Sequence, residues 1–398
     1  MYMDKMLESI SLNKKEKKEL DRKVKDFLKK LENKDIKFFI GGSYAKNTFL
    51  KGNLDIDIFA MFDCKENKYE DISKKLGKFL KSKFKKVETV HGSRDYFHIK
   101  QDDLIFEIVP VLKIKKSSQA ENIMDVSPLH VKFVKRRVGK KLKKDVMLLK
   151  QFFRANNLYG AESYIRGFSG YICELLIIYY GGFDELIKSV REWDEKKIIH
   201  FGRNSEKAFA KLSKSKKNSS LVVIDPVQKD RNASAALSKK NYEKFISLCK
   251  AYNGNKSFFV RKEVILSKLK GYVILKINPK EGKKDIIGAK LLASLERLKK
   301  EFEMYDFKIK DYGWKFEDYA YFWFKADKLE KNKIHFGPKV SDKVNRVAFN
   351  KRWKNVKVSK GRVYTILKRK YLSLEEYSKY LIRQKWLKER VKSVKIYK

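Results

Sequence analysis

Between residues 11 and 31, Leu12, Leu20, Val24, Phe27, Leu28 and Leu31 recur at helical spacing among lysines, a pattern that predicts an amphipathic helix. It leads into an apolar run, Phe38-Phe39-Ile40, that reads as a strand stopping at Gly41-Gly42. Leu54, Ile56 and Ile58 then alternate with Asp55 and Asp57, and a period of two predicts a second strand. Helical spacing returns over 72–84 through Ile72, Leu76, Phe79 and Leu80, and strands are predicted at 96–99 and 104–112. Residues 1–135 therefore read as an α/β unit with a small sheet. From Lys140 the period is helical: Val146, Leu149, Phe152 and Phe153 stripe one helix. After the break at 167–171, Ser169 can cap a second helix at 171–180, apolar nearly all round and so expected to be buried.

Residues 211–220 are rich in lysine and serine and read as a mobile loop. Leu221 to Pro226 reads as a strand and turn, followed by a helix over 235–251. Asn253-Gly254-Asn255 is the best linker in the chain and marks a boundary. Beyond it, strands at 272–277 and 319–324 flank a helix over 286–302. The expected organisation is a multidomain α+β protein with domains 1–135, 136–254 (mainly helical) and 255–398 (α+β). A length of 398 residues fits two or three domains.

Composition changes the picture in one respect. Lys+Arg of 95 against Asp+Glu of 49 gives a formal net charge of +46, a field that attracts a polyanion such as nucleic acid. Cys64, Cys173 and Cys249 are far apart with no C-x-x-C pair, which argues for a reducing compartment and against a zinc site or disulfide framework. Neither a signal segment nor a membrane-spanning run is seen, so a cytoplasmic protein without membrane attachment is expected.

The candidate chemistry starts at the glycines. A strand ending at Gly41-Gly42 lets the backbone approach a ligand and offer N–H donors to an anion, and Ser43 adds a hydroxyl. Asp55 and Asp57, at i and i+2, share one strand face, and two close carboxylates favour a hard divalent cation such as magnesium. A two-metal site needs a third carboxylate. Glu107, alone among apolar residues in Leu104 to Pro110, is the candidate, with Asp102 and Asp103 as alternatives to it.

The glycine-serine loop, spacer and Asp-x-Asp strand resemble the nucleotidyltransferase superfamily that includes polymerase β, poly(A) polymerases and CCA-adding enzymes. Further stretches narrow the resemblance to the archaeal-type (class I) CCA-adding enzymes, which finish the 3′ end of tRNA. They are Val109-Pro110, Ser127 to His130, Leu148 to Phe152, Tyr159 to Glu162, Arg166 to Tyr171 with Glu174 to Leu176, and Ile224 to Pro226 with Arg231-Asn232. A weaker echo runs through Phe336-Gly337-Pro338 and Gly361 to Tyr364. The chain carries Glu107 where that family normally has aspartate.

The resemblance implies a polymerase β-like nucleotidyltransferase head, a central helical domain completing the nucleotide pocket, and a C-terminal α+β region that binds tRNA at its acceptor stem and elbow. It implies template-independent addition of C, C and A from CTP and ATP, with Mg²⁺ held by Asp55, Asp57 and Glu107, and it leaves a homodimer open. Gly42, Ser43, Lys46, His130, Lys150 and Tyr159 would bind the nucleotide, and Arg231 would read its base. On residue type alone the favoured readings are His130 as a helix-start residue, Lys150 as a solvated one and Tyr159 as a core aromatic, and Arg231 could be a surface residue contacting phosphate only. The alternatives are a poly(A) polymerase and, in another class, an RNA-binding protein with an inactive site. The aromatic run from Tyr312 to Phe324, interleaved with Lys315 and Lys325, is expected to be core more than a base-stacking surface.

Overall fold

The computed structural model describes residues 2–52, 55–202, 209–210 and 212–397, so Leu54, at the head of the predicted alternation, and Lys211 lie outside the described residues. The chain divides into two compact units, Met1–Glu263 and Val264–Lys398.

The first unit opens with α1 (Tyr2–Ile10) and α2 (Lys14–Lys30). Asn13 starts α2 by a reciprocal cap: the Glu16 N–H donates to Asn13 Oδ1 at 2.9 Å and the Asn13 N–H to Glu16 Oε2 at 2.9 Å. Leu20, Val24, Phe27 and Leu31 form the buried stripe of α2. The stripe packs on a five-stranded sheet, where the Phe27 ring stacks on Phe106 with centroids 3.6 Å apart.

The strands are β1 (Lys37–Ile40), β2 (Asp55–Asp63), β3 (Glu88–Val90), β4 (Tyr96–Gln101) and β5 (Leu104–Lys113), in the spatial order β1-β2-β5-β4-β3. β2 and β5 are parallel and the other neighbours antiparallel. The short α3 (Gly42–Lys46) follows β1, and α4 (Cys64–Asn67) and α5 (Ile72–Lys83) lie in the crossover between β2 and β3. Alternation separates the faces. Ile56, Ile58, Phe106 and Ile108 point into the core with α2 and α5. On the other face Phe59, Val109 and Val111 pack against Val131 of α6 (Ser127–Arg137), while Asp55, Asp57 and Glu107 lie nearer the strand starts, outside that cluster.

The helical part contains α7 (Lys140–Ala155), α8 (Gly170–Tyr180), α9 (Phe183–Val190), a parallel pair of β6 (Lys197–Ile199) and β7 (Leu221–Val223), and α10 (Lys239–Ala251). Ser169 caps α8 as expected, its Oγ accepting the Ile172 N–H at 3.2 Å. Within the lysine-serine segment, Lys214–Lys217 makes a helical turn. The helix expected from residue 235 begins at Lys239, because Ser238 supplies the cap and the residues just before it are taken by turns. Phe258 and Phe259, past the asparagine-glycine linker, pack into this aromatic core beside Phe152.

The second unit holds an antiparallel sheet of β8 (Val273–Pro279), β9 (Asp311–Phe316), β10 (Ala320–Lys325) and β14 (Val391–Tyr397), in the order β14-β8-β10-β9. α11 (Lys284–Met304) and α13 (Leu374–Leu381) complete its core. Of the aromatic run, Phe322 and Phe324 are fully buried and Trp323 nearly so, Tyr312, Trp314 and Phe316 are partly buried against the same core, and Tyr319 is exposed. A three-stranded sheet of β11 (Asn332–Lys339), β12 (Lys357–Ser359) and β13 (Arg362–Lys368) carries α12 (Lys343–Arg352). The two sequence echoes meet there, Phe336 opposite Tyr364 and Arg362 Nε donating to the Gly337 carbonyl at 2.8 Å. Among the described residues no helix is long and apolar enough to cross a membrane.

Phe27 seats α2 on the sheet, so Phe27→Ala should destabilise the first unit by about 3–5 kcal/mol, the range for emptying a buried phenylalanine site. Urea unfolding followed by circular dichroism measures this; an unchanged midpoint would show that the helix is not held by that ring.

Candidate active site

The parallel register sets Asp57 beside Glu107 and Asp55 beside Ile105, so the two carboxylates that face each other across neighbouring strands are Asp57 and Glu107. In the antiparallel register of β4, His98 is next in the same row, and its Nε2 lies 3.0 Å from Glu107 Oε2. That contact fixes the glutamate's orientation. Asp102 and Asp103 sit in the turn between β4 and β5, where Asp103 pairs with Lys23 at 2.7 Å, so neither takes the place of Glu107.

The glycine loop closes over this row. The Gly41 N–H donates to the Asp57 carbonyl at 2.8 Å. Gly42 has φ +56, and a Cβ there would lie 1.5 Å from Asp57 Oδ2. Only glycine allows both that backbone conformation and that approach. Burial, then the Glu107 carboxylate, with a smaller push from Asp55, raises the Asp57 carboxyl from 3.8 to about 7 against the opposing pull of Lys46.

A cavity of about 150 Å³ is lined by Ser43, Asp55, Asp57, Glu107, Lys150 and Tyr159 together with Phe49, Leu50 and Arg154. Six of the ten candidate residues thus meet in one place. Lys150 is not a solvated helix residue: it is 2% exposed, and burial lowers its pKa. Burial likewise holds the Tyr159 phenol above its ordinary range, so it stays a hydrogen-bond donor. Lys46 is not among the residues lining the cavity and pairs with Glu174 at 2.6 Å.

His130 and Arg231 meet elsewhere, at Asp225. Asp225 Oδ2 lies 3.0 Å from His130 Nε2 and accepts from an Arg231 guanidinium nitrogen at 3.0 Å, while Tyr171 donates to Oδ1 at 3.2 Å. Although Asp225 is fully buried, hydrogen bonding and charge from His130, backbone donors and Arg231 outweigh burial and keep its carboxyl below the usual range. Asp225, Glu174, Thr48, His98 and Arg154 carry no role in the sequence reading. Glu174, a lone acid inside an apolar helix, and Asp225 both lie in stretches that carry the family resemblance, but no role attaches to either there; nothing in the sequence marked Thr48, His98 or Arg154.

Three carboxylates line the cavity, two of them adjacent and one with its pKa raised by burial and by its neighbour, and carboxylate oxygens are the ligand type that suits a hard divalent cation. Among the described residues, no three His, Cys, Asp or Glu side chains are gathered closely enough to hold a metal ion as they stand.

Two family models match successive parts of the first unit. Residues 144–260 match the family model of the tRNA nucleotidyltransferase second domain, and residues 1–127 match that of the Second Messenger Oligonucleotide or Dinucleotide Synthetase domain. The chain is 34% identical over 338 residues to the CCA-adding enzyme of Nanoarchaeum equitans, covering 84% of each protein. It is 29% identical over 394 residues to the CCA-adding enzyme of Archaeoglobus fulgidus, covering 94% of this chain and 87% of that one. With that of Methanocaldococcus jannaschii it shares 32% over 346 residues, 83% of this chain and 77% of the other. Among solved structures, the Cid1 poly(U) polymerase has a TM-score of 0.50 at 14% identity over 66% of this chain and 98% of that one, a likeness of fold alone.

The raised Asp57 pKa has a consequence for stability in chelator-treated protein. A carboxyl that holds its proton more tightly when folded favours folding at low pH, and that contribution is lost as pH rises from the unfolded value near 4 through about 7. The stability of Asp57→Asn relative to wild type should therefore rise between about pH 4 and pH 8, by up to about 4 kcal/mol for three pK units. Denaturant titrations of both proteins across that range read it out; a pH-independent difference would mean that Asp57 ionises as freely in the folded protein as in the unfolded chain.

Proposed function

The chain belongs to the archaeal-type CCA-adding enzymes, the tRNA nucleotidyltransferases, and from that premise we propose which of its residues carry the reaction. It adds C, C and A to the 3′ end of tRNA from CTP and ATP without a template. The 3′-hydroxyl of tRNA attacks the α-phosphorus of the nucleotide, the bond to the pyrophosphate oxygen breaks, and pyrophosphate leaves. The observation that carries the assignment of residues is the Asp57–Glu107 pair facing the same cavity as Ser43, Lys150 and Tyr159.

In this reading Asp55, Asp57 and Glu107 hold Mg²⁺, with His98 orienting Glu107. Bound there, the ion would lower the pKa of the attacking hydroxyl and offset charge at the α-phosphate. Ser43, Lys150 and Tyr159 supply a hydroxyl, an ammonium and a phenol to the triphosphate oxygens, donors matched to an anion. Gly42 lets the loop lie close to Asp57. Lys46 acts from behind this layer, through its pair with Glu174. Arg231, with His130 and Tyr171 around Asp225, is the base-reading group, because a guanidinium held by a buried carboxylate presents fixed donors to a pyrimidine or purine edge. The basic surface holds the tRNA backbone at acceptor stem and elbow, and the setting is the cytoplasm, where tRNA and nucleoside triphosphates occur together.

The direct test is incubation with tRNA lacking its last three nucleotides and each labelled nucleoside triphosphate in turn. Incorporation of C, then C, then A is expected; long runs of A would reject the assignment. In that assay Asp57→Ala should fall below about one per cent of wild type, with tRNA affinity within a few fold, because the carboxylate serves the reaction and the RNA is held by distributed charge. Retained turnover would remove Asp57 from the reacting centre.

Arg231→Ala should lower incorporation of CTP and ATP by about 1–3 kcal/mol and raise relative misincorporation of UTP. If tRNA affinity fell in proportion to activity, with discrimination against UTP intact, Arg231 would be a phosphate contact only.

A further inference from the structure

A buried polar bridge joins the glycine loop to the helical part of the first unit. Glu174, on the otherwise apolar α8, is fully buried. Its Oε2 accepts from Lys46 Nζ at 2.6 Å and its Oε1 from Thr48 Oγ1 at 2.8 Å, both partners coming from the end of the loop after β1. Lys150 of α7 donates to the Thr48 carbonyl at 2.8 Å and to its hydroxyl at 3.2 Å, and its ammonium lies 3.7 Å from Glu174 Oε1. Two ammonium groups thus share one carboxylate, and Lys150 also lines the carboxylate cavity.

The charges make this arrangement directional. Removing two lysines from water is costly unless each is paired and hydrogen-bonded. With the acid sites of the cavity nearby, an unanchored lysine would be drawn to them; Lys46 already acts electrostatically on Asp57. Burial opposes ionisation of Glu174, but charge from Lys46 and Lys150 and hydrogen bonds from Lys46 and Thr48 prevail and hold its carboxyl below the ordinary value. The bridge leaves one net positive charge, poised for an anion entering the cavity.

We propose that Glu174 is a positioning residue for nucleotide binding: it holds Lys46 back from the acid row and, through Thr48, aims the Lys150 ammonium at the incoming triphosphate. The inference rests on the reading of Lys150 as a triphosphate ligand. It extends that reading to the question of what fixes the ligand before the nucleotide arrives. Preset donors bind more tightly than donors that must be ordered on binding.

The test uses the full chain and four variants, Glu174→Gln, Glu174→Asp, Thr48→Val and Lys150→Met, each checked for an unchanged unfolding midpoint. Glu174→Gln should raise KM for CTP and ATP by about tenfold or more, the scale of a lost hydrogen bond to a charged group. Inhibition by inorganic triphosphate should weaken in parallel, while KM for tRNA stays within about twofold, since the RNA is held by other surface. Glu174→Asp should restore part of the affinity. Thr48→Val keeps the Lys46 pair and removes the hydroxyl between Glu174 and Lys150, so it should show the same signature more weakly, and it carries the test if Glu174→Gln does not fold. Normal nucleotide KM in both Glu174→Gln and Thr48→Val, with a raised KM in Lys150→Met, would overturn the positioning role alone. An unchanged KM in Lys150→Met would instead remove Lys150 from the triphosphate site.

Discussion

Asp57 and Glu107 stand side by side on parallel strands, one of them raised to about 7 by burial and by the other's charge. Like charges at that spacing destabilise the metal-free fold, and the surrounding features read as answers to that repulsion. His98 fixes the outer carboxylate, Gly42 leaves room for the inner one, and Lys46 lowers its pKa from the side. The apolar half of the same sheet face, Phe59, Val109 and Val111 under Val131, keeps the strands aligned where the acid half cannot. Strain at the site is thus tolerated because packing elsewhere on the same two strands holds the register.

Buried charge in the first unit is handled by sharing. Glu174 serves two lysines, and Asp225 serves a histidine, an arginine and a tyrosine. In each case a single fully buried acid sets the direction of cationic groups taken from different elements. The chain's large positive charge does not reach these places as a diffuse field. Its action there is through a few oriented donors, while the remaining lysines stay at the surface for a polyanion.

What was legible in the sequence was local. The alternation of Asp55 and Asp57 with Ile56 and Ile58 revealed both the strand and the shared face, because a period of two is visible within five residues. Glu107 was legible for the same reason, as a lone acid in an apolar strand. The adjacency of Asp57 and Glu107 was not, since it depends on a parallel register set across the crossover through β3 and β4. Glu174 carried the same signal as Glu107 but sat in a helix apolar on every side, where no pattern tells which neighbour it meets. Asp225 looked like a turn residue beside proline, and only the packing of α6 and α8 around it brings in His130 and Tyr171. The start of α10 shifted because a cap three residues further on, at Ser238, outweighed propensity.

The bridge between Lys46 and Glu174 spans 128 positions of sequence. Closing such a separation carries a large loop-closure entropy, which the folded chain must recover elsewhere. During synthesis the acid strands and the glycine loop emerge well before α8, so the nascent head already holds its three carboxylates while Lys46 still lacks its partner. The glycine loop and its acid strands are thus made well before the helix that carries the partner of Lys46.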